Sequence, residues 1–248
     1  MPNYKKTHIP CDHCGSSDGA VINEDGSKYC FVCQTRDKPE NMQTLPQVPT
    51  TSQKPHLTLS DAFQSGISER RLALKTVEAY GVRLTEKGEV FFPYFDKTGA
   101  HVANKVRSKD KKFTVEGEWK TALLFGQNNF SKGGDVVTIC EGEFDALSAY
   151  QMMGGKQAVV SIRSGAQSAL SDCKASYEWL DSFSKVVICF DNDEPGREAA
   201  NKVADLFGGK ALLFQHSQQH KDASDWLVQR AEVLFSQAGL ASEKYKPE

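Results

Sequence analysis

Residues 185–200, KVVICFDNDEPGREAA, decide the fold. The run KVVICF is apolar, β-branched and short, which reads as a strand buried on both faces, and the Pro195 and alanines that follow read as the first turns of a helix. Between them stand Asp191 and Asp193, two positions apart, so an extended backbone points both carboxylates the same way. Two like charges so placed repel. A divalent cation between them relieves that repulsion, so this strand is expected to end in a metal-binding loop.

The same unit recurs on either side. VVTIC precedes the helical EFDALSAYQMM, AVVSI precedes a helical segment from about Ala166 to Leu180, and KALLFQ precedes SDWLVQRAEVLFSQA. Short apolar runs alternating with helices predict an α/β domain with a parallel sheet covered on both faces, whose ligands bind beyond the carboxyl ends of the strands. The acids fall there: Glu141 after the first strand, Asp191 and Asp193 after the third, Asp222 and Asp225 after the fourth. Asp145, four residues beyond Glu141, lies one helical turn behind it. Helix capping accounts for one acid per helix, Asp193 included, but not for the D-x-D pair or for E-G-E at 141–143. Magnesium suits such a site because it takes oxygen ligands and keeps waters and phosphates around it.

Upstream, SDAFQSGI and SERRLALKTVEAYGV read as short helices, the second capped by Ser68 and ending near Gly81, and EVFFPYFDKTGAHVANKVRS reads as a hairpin turning at Asp96–Gly99. In the strip NKVRSKDKKF, strand alternation sends Lys105, Arg107, Lys109 and Lys111 to one face, and Lys112 to the other. Such a face suits a phosphate backbone or a triphosphate, or equally a lysine-guarded edge strand.

The N-terminus is of another kind. Cys11 and Cys14 form one C-x-x-C, Cys30 and Cys33 a second, with fifteen residues between the pairs, the spacing of a four-thiolate structural zinc site. Disulfides fit poorly with a start that lacks the apolar core of a signal peptide. Cys140 and Cys189, in apolar strands, read as core residues. Residues 39–56 hold four prolines among Thr, Gln and Ser and read as a linker. The 248 residues, 39% hydrophobic and 25% charged with a net charge of −2, are globular, carry no membrane-length apolar run, and exclude a surface that coats nucleic acid indiscriminately. The expected domains are a β zinc ribbon (1–38), the linker, a mixed α+β subdomain with the basic strip (57–133) and the parallel-sheet domain (134–240); the expected address is the cytoplasm.

EGEFDAL, FDNDEPGR and KDASD resemble the acidic pattern of the Toprim fold, and the preceding ribbon HIPCDHCGSSDG…YCFVC and strip KVRSKDKKF resemble the primase half of bacteriophage primase-helicases of the T7 type. The resemblance runs from His8 to about Leu227. It implies that the Toprim core makes short RNA primers on single-stranded DNA, that the ribbon reads the template, and that Glu141, Asp145, Asp191, Asp193 and Asp222 are the catalytic acids, with Lys105 and Lys111 binding nucleotide. It also implies a replicative helicase, in cis or in trans, and a DNA polymerase as partners, and host cytoplasm as the location for a phage protein. The ribbon turn departs from the family, carrying Ser27 and Lys28 where a histidine contacts template bases, and no phosphate-cradling G-x-x-x-x-G-K-[ST] loop occurs, so no helicase motor is expected within the chain.

The chemistry expected of this set is two-metal nucleotidyl transfer, with two magnesium ions on Glu141, Asp191 and Asp193, and with Lys105, Arg107 and Lys111 neutralising a ribonucleoside triphosphate. The loop SIRSGAQS, with Arg163, is read equally as a nucleotide contact and as a structural turn. A metal-dependent nuclease would share the acids but act without nucleotides, and a noncatalytic DNA-binding adaptor would have no use for them.

Overall fold

The computed structural model describes residues 4–13, 16–33, 35–37 and 62–245, so the expected linker at 39–56 lies outside the described residues. Two compact units result, Met1–Ser52 and Gln53–Glu248.

The first unit is an antiparallel sheet of β1 (Tyr4–Ile9), β2 (Ala20–Asn23), β3 (Lys28–Cys30) and β4 (Arg36–Asp37), in that order. Gly26, at φ 81°, makes the tight turn between β2 and β3. Among the described residues its buried apolar cluster is Cys11, Ala20 and Cys30, with Val21 buried beside β3, too little to hold a fold without a further crosslink.

The second unit begins with a 3-10 turn, Ser68–Arg70, followed by α1 (Leu74–Ala79). One helix from Ser68 to Gly81 was expected, but the chain breaks at Arg71, which is left-handed at φ 57°. The break lets Ile67 and Leu72, both buried, pair through two backbone hydrogen bonds of 2.8 and 3.1 Å. The expected helix over SDAFQSGI is also absent from its described part, where Phe63 pairs with Leu84. An antiparallel sheet follows: β5 (Arg83–Leu84), β6 (Val90–Phe95), β7 (His101–Arg107) and β8 (Phe113–Gly117). The hairpin turn at Asp96–Gly99 is as read, with Asp96 Oδ1 accepting the Thr98 N–H at 2.8 Å.

From β9 (Gly134–Cys140) the chain alternates: α2 (Glu143–Met152), β10 (Ala158–Ser161), α3 (Ala169–Ala175), α4 (Tyr177–Leu180), β11 (Phe183–Cys189), α5 (Glu194–Phe207), β12 (Ala211–Leu213), α6 (Ala223–Val228), α7 (Glu232–Leu240) and β13 (Glu243–Lys244). The strands order as β10-β9-β11-β12-β13, parallel except for the antiparallel edge strand β13. Two expected helices are each split: the one at 166–180 at Ser176, whose buried hydroxyl donates to Gln127 Oε1 at 2.8 Å, and the one at 224–238 at Arg230, at φ 61°.

Alternation along β11 explains its continuous apolar run. Val186 and Ile188 join the core against α3 and α5, while Val187 and Cys189 join the core against α2 and α6. The second of these cores also takes Val82, Phe92, Tyr94 and Phe125, so the antiparallel sheet and the parallel sheet share one hydrophobic interior. Cys140 and Cys189 face each other in register and are buried, as expected of core residues.

Candidate active site

The site lies at the carboxyl ends of β9 and β11. Glu141 follows β9 directly, and its two oxygens accept the N–H groups of Ala166 (3.1 Å) and Asp191 (3.4 Å), which ties the loops after β9, β10 and β11 to one carboxylate. Burial pushes the Glu141 carboxyl up, opposed by those two hydrogen bonds. Asp145, on the first turn of α2, accepts the N–H and the hydroxyl of Ser224 on α6 at 3.0 and 2.7 Å. Burial, then the charge of Asp222, raises it to about 7. Asp191 is raised to about 8 by burial and by Asp145, Glu141 and Asp222 in turn. The four carboxylates therefore act on one another electrostatically, as the alternation of strands and acids in the sequence implied.

One cation answers them from within the rim. Lys221 Nζ lies 3.4 Å from Asp222 and 4.0 Å from Asp191. Asp193 and Asp222 are both N-caps: Asp193 Oδ1 accepts the Gly196 N–H and Asp222 Oδ1 the Asp225 N–H, each at 2.8 Å. Gly196 has to be glycine, because a Cβ there would stand 2.2 Å from the Asp191 carbonyl oxygen. Among the described residues no three of these carboxylates bring their oxygens within 4.8 Å of one another.

The basic strip departs from the sequence reading. β7 ends at Arg107, and residues 108–112 form a turn in which Lys111 is left-handed at φ 63° and exposed. Alternation therefore stops at Arg107, and Lys109 and Lys111 do not continue the face of Lys105. A local turn interrupts the period: the Lys111 N–H closes it onto the Ser108 carbonyl at 2.9 Å. Lys105 points inward, its Nζ donating to Glu143 Oε1 at 2.7 Å and to the Arg163 carbonyl at 2.8 Å. Tyr94 donates its hydroxyl to the same Glu143 oxygen at 2.5 Å, and burial beside that charge holds its phenol well above the usual range. Glu143 is thus a member of the site that the list of acids above omits; the E-G-E spacing was its only signal. Arg163 is structural: its guanidinium forks onto Asp172 Oδ1 at 2.7 and 3.0 Å and reaches the carbonyls of Trp119 and Ala122.

In the ribbon, the sulfurs of Cys11, Cys30 and Cys33 lie within 4.8 Å of one another, with Cys11 and Cys33 3.6 Å apart. Tetrahedral ligands at the usual zinc–sulfur distance stand about 3.8 Å apart, so the three thiols are placed as ligands of one ion. The Thr35 hydroxyl and N–H lower Cys33 to about 6, favouring the thiolate that a metal needs. Cys14 lies outside the described residues. Ser27 is buried and committed to Asp25 at 2.6 Å, and Lys28 pairs with Asp12 at 2.7 Å, so Ser27 does not stand free as a base-reading residue.

Residues 138–227 match the Toprim-like family. The chain is 34% identical over 212 residues to the DNA helicase/primase of Enterobacteria phage T3, a match covering 80% of this chain and 37% of that protein, so it spans little more than a third of the relative's length. The crystal structure of the primase fragment of the bacteriophage T7 primase-helicase superposes with a TM-score of 0.69 at 30% identity, over 96% of this chain and 99% of that one. A second solved structure, of the phage T7 lagging-strand DNA polymerase interacting with primase domains of two gp4 subunits bound to an RNA/DNA hybrid and dTTP, matches with a TM-score of 0.67 at 28% identity, over 74% of this chain and 94% of that one. With a ribbon, a mixed α/β core and a Toprim sheet in the same order along nearly its whole length, the chain belongs to the family of the primase region of T7-type phage primase-helicases.

Proposed function

We propose that this chain is a DNA-dependent RNA primase, joining ribonucleoside triphosphates into short primers on a single-stranded DNA template. The observation that carries the reading is the convergence of Glu141, Asp145, Asp191 and Asp222 on one rim of the sheet, close enough that burial and mutual repulsion raise Asp191 to about 8. A fold keeps such a cluster at the cost of stability where a cation is to be bound. Glu141 and Asp191, with the Asp193 oxygen that capping leaves over, would hold magnesium, and bound magnesium would make a 3′-hydroxyl more acidic and neutralise phosphate charge. The side chains supply the rest. Ser224 orients Asp145, the Ala166 and Asp191 N–H groups orient Glu141, and Lys105 pairs with Glu143.

The ribbon's role in this reading is recognition. Four thiolates leave zinc no open position, so that metal would organise a template-reading surface and take no part in bond making. A replicative helicase and a DNA polymerase are the partners we infer, supported by the helicase/primase of phage T3 and by the T7 assembly of polymerase with primase domains. Among the described residues no helix is long and apolar enough to cross a membrane, and we place the protein in the host cytoplasm if it is phage-encoded.

The test is incubation of the full chain with ribonucleoside triphosphates, magnesium and a random single-stranded template, followed by sizing and sequencing of the products. Short RNAs starting at a preferred template sequence are expected. Template cleavage without nucleotides would make the chain a nuclease, and retention of the template with no product would make it an adaptor.

A further inference from the structure

Two arginines stand over one ring beside the acidic rim. Arg70, at the end of the first 3-10 turn, places its Cζ 3.8 Å from the centroid of Phe144, and Arg107, at the end of β7, places its own 5.4 Å from the same ring. Phe144 is the residue before Asp145 and is buried, and Arg70 lies close enough to the acidic rim for Asp145 and Asp222 to act on it. Neither makes a hydrogen bond or an ion pair among the described residues, although each carries five N–H donors. Burial and then the charge of Arg107 hold Arg70 below its usual range, while Asp145 and Asp222 act in the opposite direction.

One arginine lying on Phe144 would be ordinary packing, with a cation–π attraction of about 0.5–2 kcal/mol. A second over the same ring adds repulsion and no further cover. Their donors match an anion with several oxygens, because a guanidinium fork grips phosphate in two parallel hydrogen bonds. The other cation of β7, Lys105, is already taken by Glu143 and the Arg163 carbonyl. A backbone phosphate carries one charge and needs one fork. Two forks beside a rim suited to cations fit a polyphosphate chain, one end of which must reach the carboxylates.

We propose that Arg70 and Arg107 clamp the β- and γ-phosphates of the incoming nucleoside triphosphate, with Phe144 as the platform that aligns both guanidiniums. This assignment names the phosphate-binding residues of the site read above as a primase, and Arg70 is a member that the basic strip does not contain.

The experiment measures binding of a fluorescent ribonucleoside triphosphate, its monophosphate and a single-stranded oligonucleotide to the full chain in magnesium, with no polymerisable mixture present. Arg70→Gln and Arg107→Gln should each weaken triphosphate binding about tenfold or more, since each removes charge-assisted hydrogen bonds. The monophosphate and the oligonucleotide should change less than about twofold by the same reasoning. Arg70→Lys keeps the charge and loses the fork, and should fall between. Arg107 sits on a sheet strand and Arg70 on a turn, so Arg107→Gln carries the comparison if thermal unfolding shows Arg70→Gln to be misfolded. Unchanged triphosphate affinity in both variants overturns the clamp. So does an equal loss for mono- and triphosphate, and so does a loss confined to the oligonucleotide, which would mark a backbone-tracking surface. A wild-type chain that binds triphosphate through Arg70 but makes no RNA refutes the primase reading and leaves the clamp standing.

Discussion

At the scale of single residues, Asp191 and Asp193 look alike in the sequence and differ in the structure. Asp193 caps α5, and asparagine caps as well as aspartate, so Asp193→Asn should leave thermal stability within a degree or two while abolishing metal-dependent synthesis; Asp193→Ala should in addition cost about 1 kcal/mol, visible as a lower melting temperature. Asp191 titrates near 8 instead of the ordinary 3.8, because burial and then Asp145, Glu141 and Asp222 disfavour its charge, with Lys221 opposing. The native state thus holds a proton that the unfolded chain has lost between about pH 4 and 8, so the metal-free protein loses stability as pH rises through that window. Asp145, raised to about 7, adds to the same slope. Asp191→Asn should flatten this dependence and raise the melting temperature at pH 8 by a few degrees, about 2–4 °C per kcal/mol for a chain of this size. Added magnesium should raise it in the wild type only. A variant that melts lower at pH 8 would show the pair to be structural.

At the scale of elements, the ion pair from β7 to α2 and the turn after β7 give opposite expectations for two lysines of one strip. The Lys105 and Glu143 side chains are 14% and 4% exposed, so removing either partner leaves a charge in a dry place. Lys105→Met should destabilise by about 3 kcal/mol or more, read from denaturant unfolding. Lys111→Gly should instead stabilise by about 1 kcal/mol, since glycine adopts φ 63° without the clash that Lys111 accepts. If Lys111 nevertheless binds nucleotide, its loss would raise the Michaelis constant for triphosphate without lowering stability. Most elements of the parallel sheet were legible in advance, because strands buried on both faces are short unbroken apolar runs, and the loops after the first, third and fourth of them carry visible acids. The helix breaks at Arg71, Ser176 and Arg230 were not. At two of them the broken segment is held by a contact that local pattern does not contain: Ser176 donates to Gln127, 49 positions away, and the Arg71 carbonyl accepts from Gln151, 80 positions away.

At the scale of the whole molecule, the ribbon and the core are separate units with unequal means of support. The ribbon's buried cluster is Cys11, Ala20 and Cys30, so its folding should depend on its metal, whereas the core's clusters span both of its sheets. Zinc chelation or Cys30→Ser should therefore abolish initiation at a preferred template sequence and leave the main unfolding transition in place. Extension of a preformed dinucleotide should survive. A truncated chain lacking residues 1–38 that still starts at the same sequence would remove the ribbon from recognition.

What the sequence determined by itself was whatever rests on spacing: the paired C-x-x-C motifs, the alternation of apolar run and helix, and the acids at 141, 145, 191, 193 and 222. These were readable because strand and helix periods place residues on faces without reference to distant partners. What only the tertiary structure decided was what each charge does. Lys105 turned inward to Glu143, Arg163 locked onto Asp172, and Arg70, 37 positions before Arg107, came to share a ring with it. The physical reason is that a side chain's partner is set by which elements pack together, and the shared core of the two sheets, between Phe92 on one and Phe144 beside the other, is what brings these residues within reach.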